Sequence, residues 1–301
     1  MDLVYRLADD AAFVNAEVVP WVLRLVMVGL GLSLTLADFK RVIVFPKAAT
    51  IGLVAQLVGL PLAAFGLSLL FDAPPAIAVG LVILAACPSG VTANAYSFAA
   101  RADVPLCVTL SAITSVVTVF TIPLLINLAF DLFLQEGQLA AVPAANMLRS
   151  LVTFTLLPLA IGMALRAVFP AAAERAVEPI RRSILYLMIV VLVLGVISSI
   201  EEIRDQFAAA GALVIVMNLL TMGLGYGLAK AFRLPMPQVI TITFEVGVQN
   251  LALALAIAFN ILQRPDLAIA ALIYAAVMPA TALGFVSLAR RLMDRETAAA
   301  V

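Results

Sequence analysis

The feature of this sequence that most limits its fold is a series of apolar runs of about 20 residues, separated by charge, proline and glycine. Polar residues do not alternate with apolar ones, as they would in the strands of a membrane barrel. A chain that is 64% hydrophobic and 12% charged has too little polar surface for a water-soluble globule. Because a bilayer offers backbone amides no water, such runs form helices. The sequence predicts an all-α integral membrane protein.

Nine transmembrane helices are predicted, and the whole chain, residues 1–301, is expected to form a single membrane domain. The spans begin near Val18, Ala48, Ala76, Val104, Met147, Arg182, Phe207, Met236 and Leu267. The stretch from Met1 to Glu17 lacks the basic start, apolar centre and cleavage site of a signal peptide. The first span is therefore expected to remain in the mature protein.

Lysine and arginine are distributed unequally between the two sets of flanks. One set contains Lys40, Arg41, Lys47, Arg101, Arg166, Arg175, Arg181, Arg182, Lys230, Arg233, Arg290, Arg291 and Arg295. The other contains Arg6, Arg149, Arg204 and Arg264, with Arg24 just inside the first span. The positive-inside rule predicts a multi-pass protein of the cell membrane, with its N-terminus outside and its C-terminus in the cytoplasm.

Composition also excludes several functions. The net charge is zero, which offers no basic surface for nucleic acid. The chain has no histidine, and no pair of aspartates lies within the spans, so a membrane-embedded enzyme is not expected. Cys87 and Cys107 both lie inside apolar runs, without disulfide or metal-ligand spacing.

Two short patterns indicate an internal repeat. Phe71-x-x-Pro74 recurs as Phe232-x-x-Pro235 after 161 positions, and Arg101-x-Asp103 recurs as Arg264-x-Asp266 after 163 positions. Both pairs flank the third and eighth predicted spans, which are five spans apart. An odd separation reverses the direction of corresponding helices, which is the inverted-repeat plan of many secondary transporters.

Broken helices near the membrane midplane form the binding sites of such folds. The third span contains Pro88 and Gly90 within the run from Cys87 to Asn94, and Pro88 lies about 18 Å along the helix. The eighth span contains Gly247 within the run from Phe244 to Asn250. The sequence therefore predicts two broken helices that meet at the midplane.

Glu245 is the acidic residue buried deepest in any predicted span. A charge at that depth costs roughly 2.5 to 3.5 kcal/mol on insertion scales, so an ionised Glu245 needs a positively charged partner. No basic residue lies at matching depth. Gln249 follows four positions later, on the same face of a regular helix. Carboxylate, amide and released carbonyl oxygens suit a hard monovalent cation, and sodium is the predicted partner. A protonated Glu245 bonded to a neighbouring helix is the alternative.

These residues resemble the bile acid:sodium symporter family. The likeness rests on the run from Cys87 to Asn94 and on Glu245 to Asn250, and it extends to Gly29–Lys40 and to Pro46-Lys47 with Gln56. The resemblance implies a core domain, helices at about 48–130 and 207–291, and a panel domain, helices at about 18–36 and 147–200. It also implies sodium-coupled import of an organic anion by alternating access.

The resemblance further implies two sodium sites. One would use Gln56, Glu245, Gln249 and the carbonyls of Val246 and Val248. The other would use Asn94, Ser111 and Glu245, with Ala93 and Cys107 at positions where the family supplies hydroxyls. Ser89 and Thr92 are the candidates to replace those missing oxygens.

A carboxylate is the expected headgroup of the substrate, because the half-helices after each break direct their positive N-terminal ends towards the crossing. Ser89, Thr92, Asn94 and Asn250 are the predicted substrate contacts. Two alternatives stay open: a proton-coupled carrier, and an exporter of small oxyanions on a related arsenite-carrier fold with Cys87 as a soft ligand. The sequence does not define the oligomeric state.

The predicted topology is tested by a Glu201→Cys variant. Arg204 is the nearby basic residue in a flank otherwise poor in positive charge, so this position is expected outside the cell. A membrane-impermeant thiol reagent should label the variant in intact cells, and the parent chain with Cys87 and Cys107 is the control. Labelling only after the inner face is exposed would reverse the orientation.

Overall fold

The computed structural model describes residues 18–134, 143–198 and 200–299. Within these ranges the chain folds into helices joined by short connections, with no β-strand. The all-α membrane fold predicted from the apolar runs is confirmed. The stretch from Met1 to Glu17, for which no signal peptide was predicted, lies outside the described residues.

We number the helices α1 to α12 in chain order. Their bounds are α1 Val19–Ser33, α2 Leu36–Lys40, α3 Pro46–Leu70, α4 Pro75–Ala86, α5 Val91–Ala99, α6 Val104–Phe133, α7 Ala144–Val168, α8 Pro170–Ser198, α9 Ile200–Ala231, α10 Met236–Gly247, α11 Leu251–Ile261 and α12 Ile269–Ala299. Helices α3, α7 and α11 each include one π-helical turn.

Five helices of the described chain are long and apolar enough to cross a membrane by themselves: α3, α6, α7, the Ala210–Ala231 part of α9, and Pro265–Asp294, which includes most of α12. A sixth span results if α1 is joined to the segment Leu36–Ile43, which is bent from it by 74°. Helices α4 and α11 are apolar but shorter. The count of nine spans stays a prediction.

Two helices begin earlier than their apolar runs predicted. Helix α8 starts at Pro170 rather than near Arg182, and α9 starts at Ile200 rather than near Phe207. Hydropathy marks where a helix enters lipid, whereas backbone hydrogen bonding continues through charged residues that are themselves good helix formers. Proline as the first residue of α8 suits a helix start, because its missing N–H is not needed there.

The first predicted break lies between α4 and α5. Cys87 precedes Pro88, whose ring disfavours helical angles in the residue before it, and Cys87 is extended at φ −72° and ψ 150°. Gly90 is also extended and precedes the first residue of α5. The proline therefore ends α4 at Ala86, and four residues separate it from the start of α5 at Val91.

The second break lies between α10 and α11. Helix α10 ends at Gly247, Val248 is extended, and the side chain of Asn250 accepts a hydrogen bond from the Leu253 amide at the start of α11. A Cβ on Gly247 would lie 2.2 Å from the Cγ of Met222, so α9 packs directly against this point. Close packing with α9 explains the glycine.

The two breaks contact each other. Ser89 and Gln249 form an isolated antiparallel bridge, and the Asn250 amide donates to the Pro88 carbonyl over 3.0 Å. Each break thereby satisfies backbone groups of the other, which a membrane interior requires. The two broken helices cross at this bridge, as the sequence predicted.

The repeat extends to backbone conformation. Among the described residues, four non-glycine residues have positive φ: Asp72 at 46°, Arg101 at 58°, Arg233 at 56° and Gln263 at 53°. Asp72 and Arg233 are 161 positions apart, and Arg101 and Gln263 are 162 apart. Helices α4 and α10 are both 12 residues long. The two halves therefore enter and leave their broken helices through the same turns.

The π-helical turns of α3 and α7 precede prolines. Ala55–Gly59 is followed by Pro61, and Val152–Leu156 is followed by Pro158. A proline ring clashes with the carbonyl four residues earlier, and one wider turn removes that clash. The turn in α3 contains Gln56, one of the predicted sodium ligands.

Helices α1 and α7 pack at backbone contact. A Cβ added to Gly162 would lie 2.3 Å from the Val28 carbonyl oxygen and 2.9 Å from the Gly31 Cα. A Cβ on Gly31 would lie 2.2 Å from the Leu159 carbonyl oxygen. Small residues at such crossings let membrane helices approach closely. These two glycines fix the distance between α1 and α7.

Gly162→Ala is therefore expected to force α1 and α7 apart, at a cost of about 1–3 kcal/mol. The matched control is Gly66→Ala in α3, where an added Cβ meets nothing within 4 Å. The control should unfold at the parent temperature or slightly above it, since alanine favours helix more than glycine does. Thermal unfolding in detergent measures both, and equal midpoints would contradict the packing.

Candidate functional site

Glu245 lies in the last turn of α10 and is fully buried. Three side chains donate to its carboxylate. Ser89, from the first break, donates to Oε1, and Ser111 of α6 lies 3.0 Å from Oε1 and 3.2 Å from Oε2. The thiol of Cys107 lies 3.2 Å from Oε2. Three neutral donors, all from the first half of the chain, therefore surround the carboxylate of the second half.

Ser97 completes this group, which we call the serine cluster: Ser89, Ser97, Cys107 and Ser111. The Ser97 hydroxyl lies 3.4 Å from the Cys107 sulfur, and the hydroxyls of Ser89 and Ser111 are 2.9 Å apart. All four side chains are buried. Sequence reasoning missed Ser97. It precedes Cys107 by ten residues, and the short loop between the two helices that carry them could have indicated that they meet.

The ion pairs of the described residues do not include Glu245. They join Arg41 to Asp38, Arg101 to Asp294, Arg166 to Glu174 and Arg264 to Asp266 near helix ends and connections, and Arg182 to Glu178 within α8. A buried carboxylate without a basic partner remains costly in its charged form. The carboxylate and hydroxyl oxygens gathered here are suited to bind a cation, which would supply the missing positive charge.

The glutamine pair, Gln56 and Gln249, lies at the other side of the second break. The Gln56 amide nitrogen donates to Gln249 Oε1 and to the Cys87 carbonyl, both over 3.2 Å. The Gln249 amide nitrogen donates to the Val246 carbonyl over 2.8 Å. Gln56 Oε1 is buried without a hydrogen-bond partner. An unpaired buried amide oxygen is a free ligand for a hard cation.

A regular helix would place Glu245 and Gln249 on the same face, but the structure does not place them there. Helix α10 ends at Gly247, so Gln249 lies beyond the break in extended backbone. Its side chain contacts Gln56 and Val246, whereas the Glu245 carboxylate contacts the serine cluster. The break therefore separates the two groups that a continuous helix would have aligned.

The structure distinguishes between Ser89 and Thr92, the two candidates to replace the oxygens missing at positions 93 and 107. Ser89 donates directly to Glu245, whereas Thr92 is exposed. Ala93 is fully buried, and its methyl side chain offers no oxygen. Cys107 contacts Glu245 through its sulfur. Asn94 is partly buried, and its Oδ1 has no hydrogen-bond partner.

A small cavity of about 80 Å³ lies at the crossing. Its lining includes Val26 of α1, Gly90, Thr92, Gln249, Asn250 and Met278. Because Asn250 uses Oδ1 to cap α11, its amide nitrogen is the group left to serve as a donor. Typical ligand pockets measure roughly 300–1,000 Å³, so the space in this conformation suits a headgroup rather than a whole organic anion.

Two further residues at the second break were not predicted. Tyr274 of α12 and Asn218 of α9 both donate to the Gly247 carbonyl, over 2.8 and 3.0 Å. Asn218 lies 162 positions after Gln56, and Tyr274 lies 163 positions after Ser111. The repeat offset was the sequence signal that could have identified them.

This architecture defines a class: a multi-pass helical membrane protein in which two discontinuous helices cross beside a buried carboxylate. Residues 20–203 match the model of the Sodium Bile acid symporter family. The chain belongs to this family of sodium-dependent transporters.

Individual relatives agree with the family match. A protein of Bacillus subtilis (strain 168) described as an uncharacterized sodium-dependent transporter, YocS, is 29% identical over 244 residues, which cover 78% of this chain and 72% of that protein. A probable sodium/metabolite cotransporter, chloroplastic BASS2 of Oryza sativa subsp. japonica, is 28% identical over 250 residues, which cover 82% of this chain and 58% of the rice protein. The human ileal sodium/bile acid cotransporter is 27% identical over 161 residues, covering 54% and 46%. The chain thus spans little more than half the length of the rice protein.

Proposed function

We propose that this protein is a sodium-coupled symporter that imports an organic anion with a carboxylate headgroup by alternating access. The observation that carries the proposal is the buried Glu245 carboxylate at the crossing, surrounded by neutral donors. The family match and the sodium dependence in the names of the relatives support sodium as the coupled ion.

Two sodium sites are proposed. One uses the glutamine pair with the carbonyls of Val246 and Val248, and the free Gln56 Oε1 supports it. The other uses Glu245 with Ser89, Ser111 and Asn94, whose Oδ1 is also unpaired. Glu245 contributes its charge to both sites across the break. Hard oxygen ligands of this kind suit sodium better than the thiol of Cys107 does.

The substrate carboxylate is proposed to bind at the crossing cavity. Thr92 and the free amide nitrogen of Asn250 are the donors in its lining, beside the N-terminal ends of α5 and α11. Asn94, in the first turn of α5, stays a proposed contact although it is not part of that lining. Ser89, predicted from sequence as a substrate contact, is reassigned to the cation side because it donates to Glu245. Movement of panel helices α1, α7 and α8 against the remaining core helices would open the cavity alternately to each side.

The alternatives are not favoured. The thiol of Cys87 donates to the Ile83 carbonyl in the last turn of α4, over 3.2 Å. The names of the Bacillus subtilis and rice relatives mention sodium, and neither mentions arsenite or protons. The relatives are transporters, in agreement with the prediction that the chain is not an enzyme.

The proposal is tested by reconstituting the protein in liposomes and screening small carboxylates and steroid-like anions for uptake. Each compound is measured with an inward sodium gradient and again with potassium in place of sodium. Uptake that requires sodium, and that moves sodium inward with the anion, supports the proposal. A transported anion with equal rates in sodium and potassium would refute it.

Glu245→Gln is expected to reduce sodium-driven uptake to background, because it removes the negative charge shared by both proposed sites while keeping the size of the side chain. Asp131→Asn, which neutralises an exposed carboxylate at the end of α6, is the control and should transport normally. Initial rates under a sodium gradient give the comparison. Sodium-driven uptake at the parent rate in Glu245→Gln would remove this residue from the mechanism.

Ser89→Ala and Thr92→Ala should have different effects. Ser89 supplies a hydroxyl to the cation side, so its loss should raise the sodium concentration for half-maximal uptake, by about tenfold. Thr92 lines the cavity without contacting Glu245, so its loss should raise the KM for the anion and leave the sodium requirement unchanged. Sodium and substrate titrations of both variants decide the assignment. It would be wrong if Ser89→Ala changed only the KM for the anion and Thr92→Ala changed the sodium requirement.

A further inference from the structure

Asn218 and Tyr274 form a closed hydrogen-bonded group on the Gly247 carbonyl. The Tyr274 hydroxyl donates to this carbonyl over 2.8 Å and accepts from the Asn218 amide nitrogen over 2.8 Å. The same amide nitrogen donates to the carbonyl over 3.0 Å. Both side chains are buried. One carbonyl at the end of α10 is therefore bound from α9 and from α12 at once.

The orientation of the Asn218 amide is set by this carbonyl. Its nitrogen faces Gly247 and Tyr274, and its oxygen is buried without a hydrogen-bond partner. Reversing the amide would place two acceptor oxygens against each other. The free energy of leaving one oxygen unpaired is thus offset by two bonds at the break.

The repeat gives these two residues counterparts in the first half of the chain. Asn218 corresponds to Gln56 at an offset of 162, and Tyr274 corresponds to Ser111 at an offset of 163. Gln56 donates to the Cys87 carbonyl at the end of α4, as Asn218 does to Gly247 at the end of α10. Both breaks are therefore held by an amide from the preceding long helix. At Gly247, two protein donors bind the carbonyl.

Neighbouring carbonyls at the second break have partners on different sides. The Gly247 carbonyl binds Asn218 and Tyr274, whereas the Val246 carbonyl accepts from Gln249, which contacts Gln56 of α3. Val248 is extended, at φ −119° and ψ 111°. Fixing the Gly247 peptide on the side of α9 and α12 therefore restricts the directions open to the peptides on either side of it.

We infer that Asn218 and Tyr274 are positioning residues for the sodium site of the glutamine pair, because they hold the Gly247 carbonyl away from it and so direct the Val246 and Val248 carbonyls towards it. This inference rests on the proposed function. The two residues do not ligate the ion. They act through the backbone of the break, as groups outside the ligand shell orient the ligands of a metal.

Tyr274→Phe tests the inference with the smallest change, because it removes the hydroxyl and keeps the buried ring. The sodium concentration for half-maximal uptake should rise about tenfold, while the uptake rate at saturating sodium falls much less. Sodium should also raise the thermal midpoint of the variant less than that of the parent, since stabilisation by a ligand follows its affinity.

The control is Thr243→Val, which removes a buried hydroxyl of α10 that donates to the Val239 carbonyl, away from the break. It should bind sodium like the parent. Asn218→Leu provides a second variant of similar size and should weaken sodium binding in the same direction. If Tyr274→Phe does not fold, the titration of Asn218→Leu decides the question.

The outcomes separate this inference from the proposed function. Absence of any sodium effect on the parent chain would refute the proposed function itself. A parent that responds to sodium, together with parent-like sodium affinity in Tyr274→Phe and Asn218→Leu, would overturn the positioning role alone. The same conclusion would follow if both variants lost thermal stability equally with and without sodium, because the contacts would then serve only the fold.

Discussion

The fold depends on a constraint at the centre of the membrane: two helices are interrupted where lipid offers no hydrogen bonds, so each interruption must be satisfied by protein. The Pro88 carbonyl is satisfied by the Asn250 amide across the crossing. Gln56 binds the Cys87 carbonyl, and Asn218 with Tyr274 binds the Gly247 carbonyl. The long helices around the crossing are therefore placed by the backbone groups they complete, as well as by apolar packing.

The same constraint explains why the two halves are alike in backbone and different in chemistry. Asp72 and Arg233 form equivalent left-handed turns, and α4 and α10 have equal lengths, because both halves must enter and leave a broken helix. Only the second half carries Glu245. Its hydrogen-bond partners Ser89 and Ser111 belong to the first half, so both repeats contribute to the candidate site.

Departures from the family pattern are absorbed by neighbouring residues. Ala93 and Cys107 stand where hydroxyls were expected, yet Glu245 still has three donors because Ser89 is directed at it from the break. Ser89 can do so because Pro88 ends the helix before it and the chain is extended at Cys87 and Gly90. The backbone break thus supplies a hydroxyl as well as free amides and carbonyls.

Sequence alone determined the helical membrane fold, both breaks, the repeat and the deep burial of Glu245. These follow from local chemistry: the length of apolar runs, the effect of proline on the residue before it, and the cost of a charge in lipid. Tertiary structure decided which side chains meet. The end of α10 at Gly247 separated Gln249 from Glu245, and the crossing of two distant segments selected Ser89 over Thr92. Tyr274 and Asn218 became partners of Gly247 only when α9 and α12 packed around the break, because contacts between residues far apart in sequence depend on helix packing that local patterns do not encode.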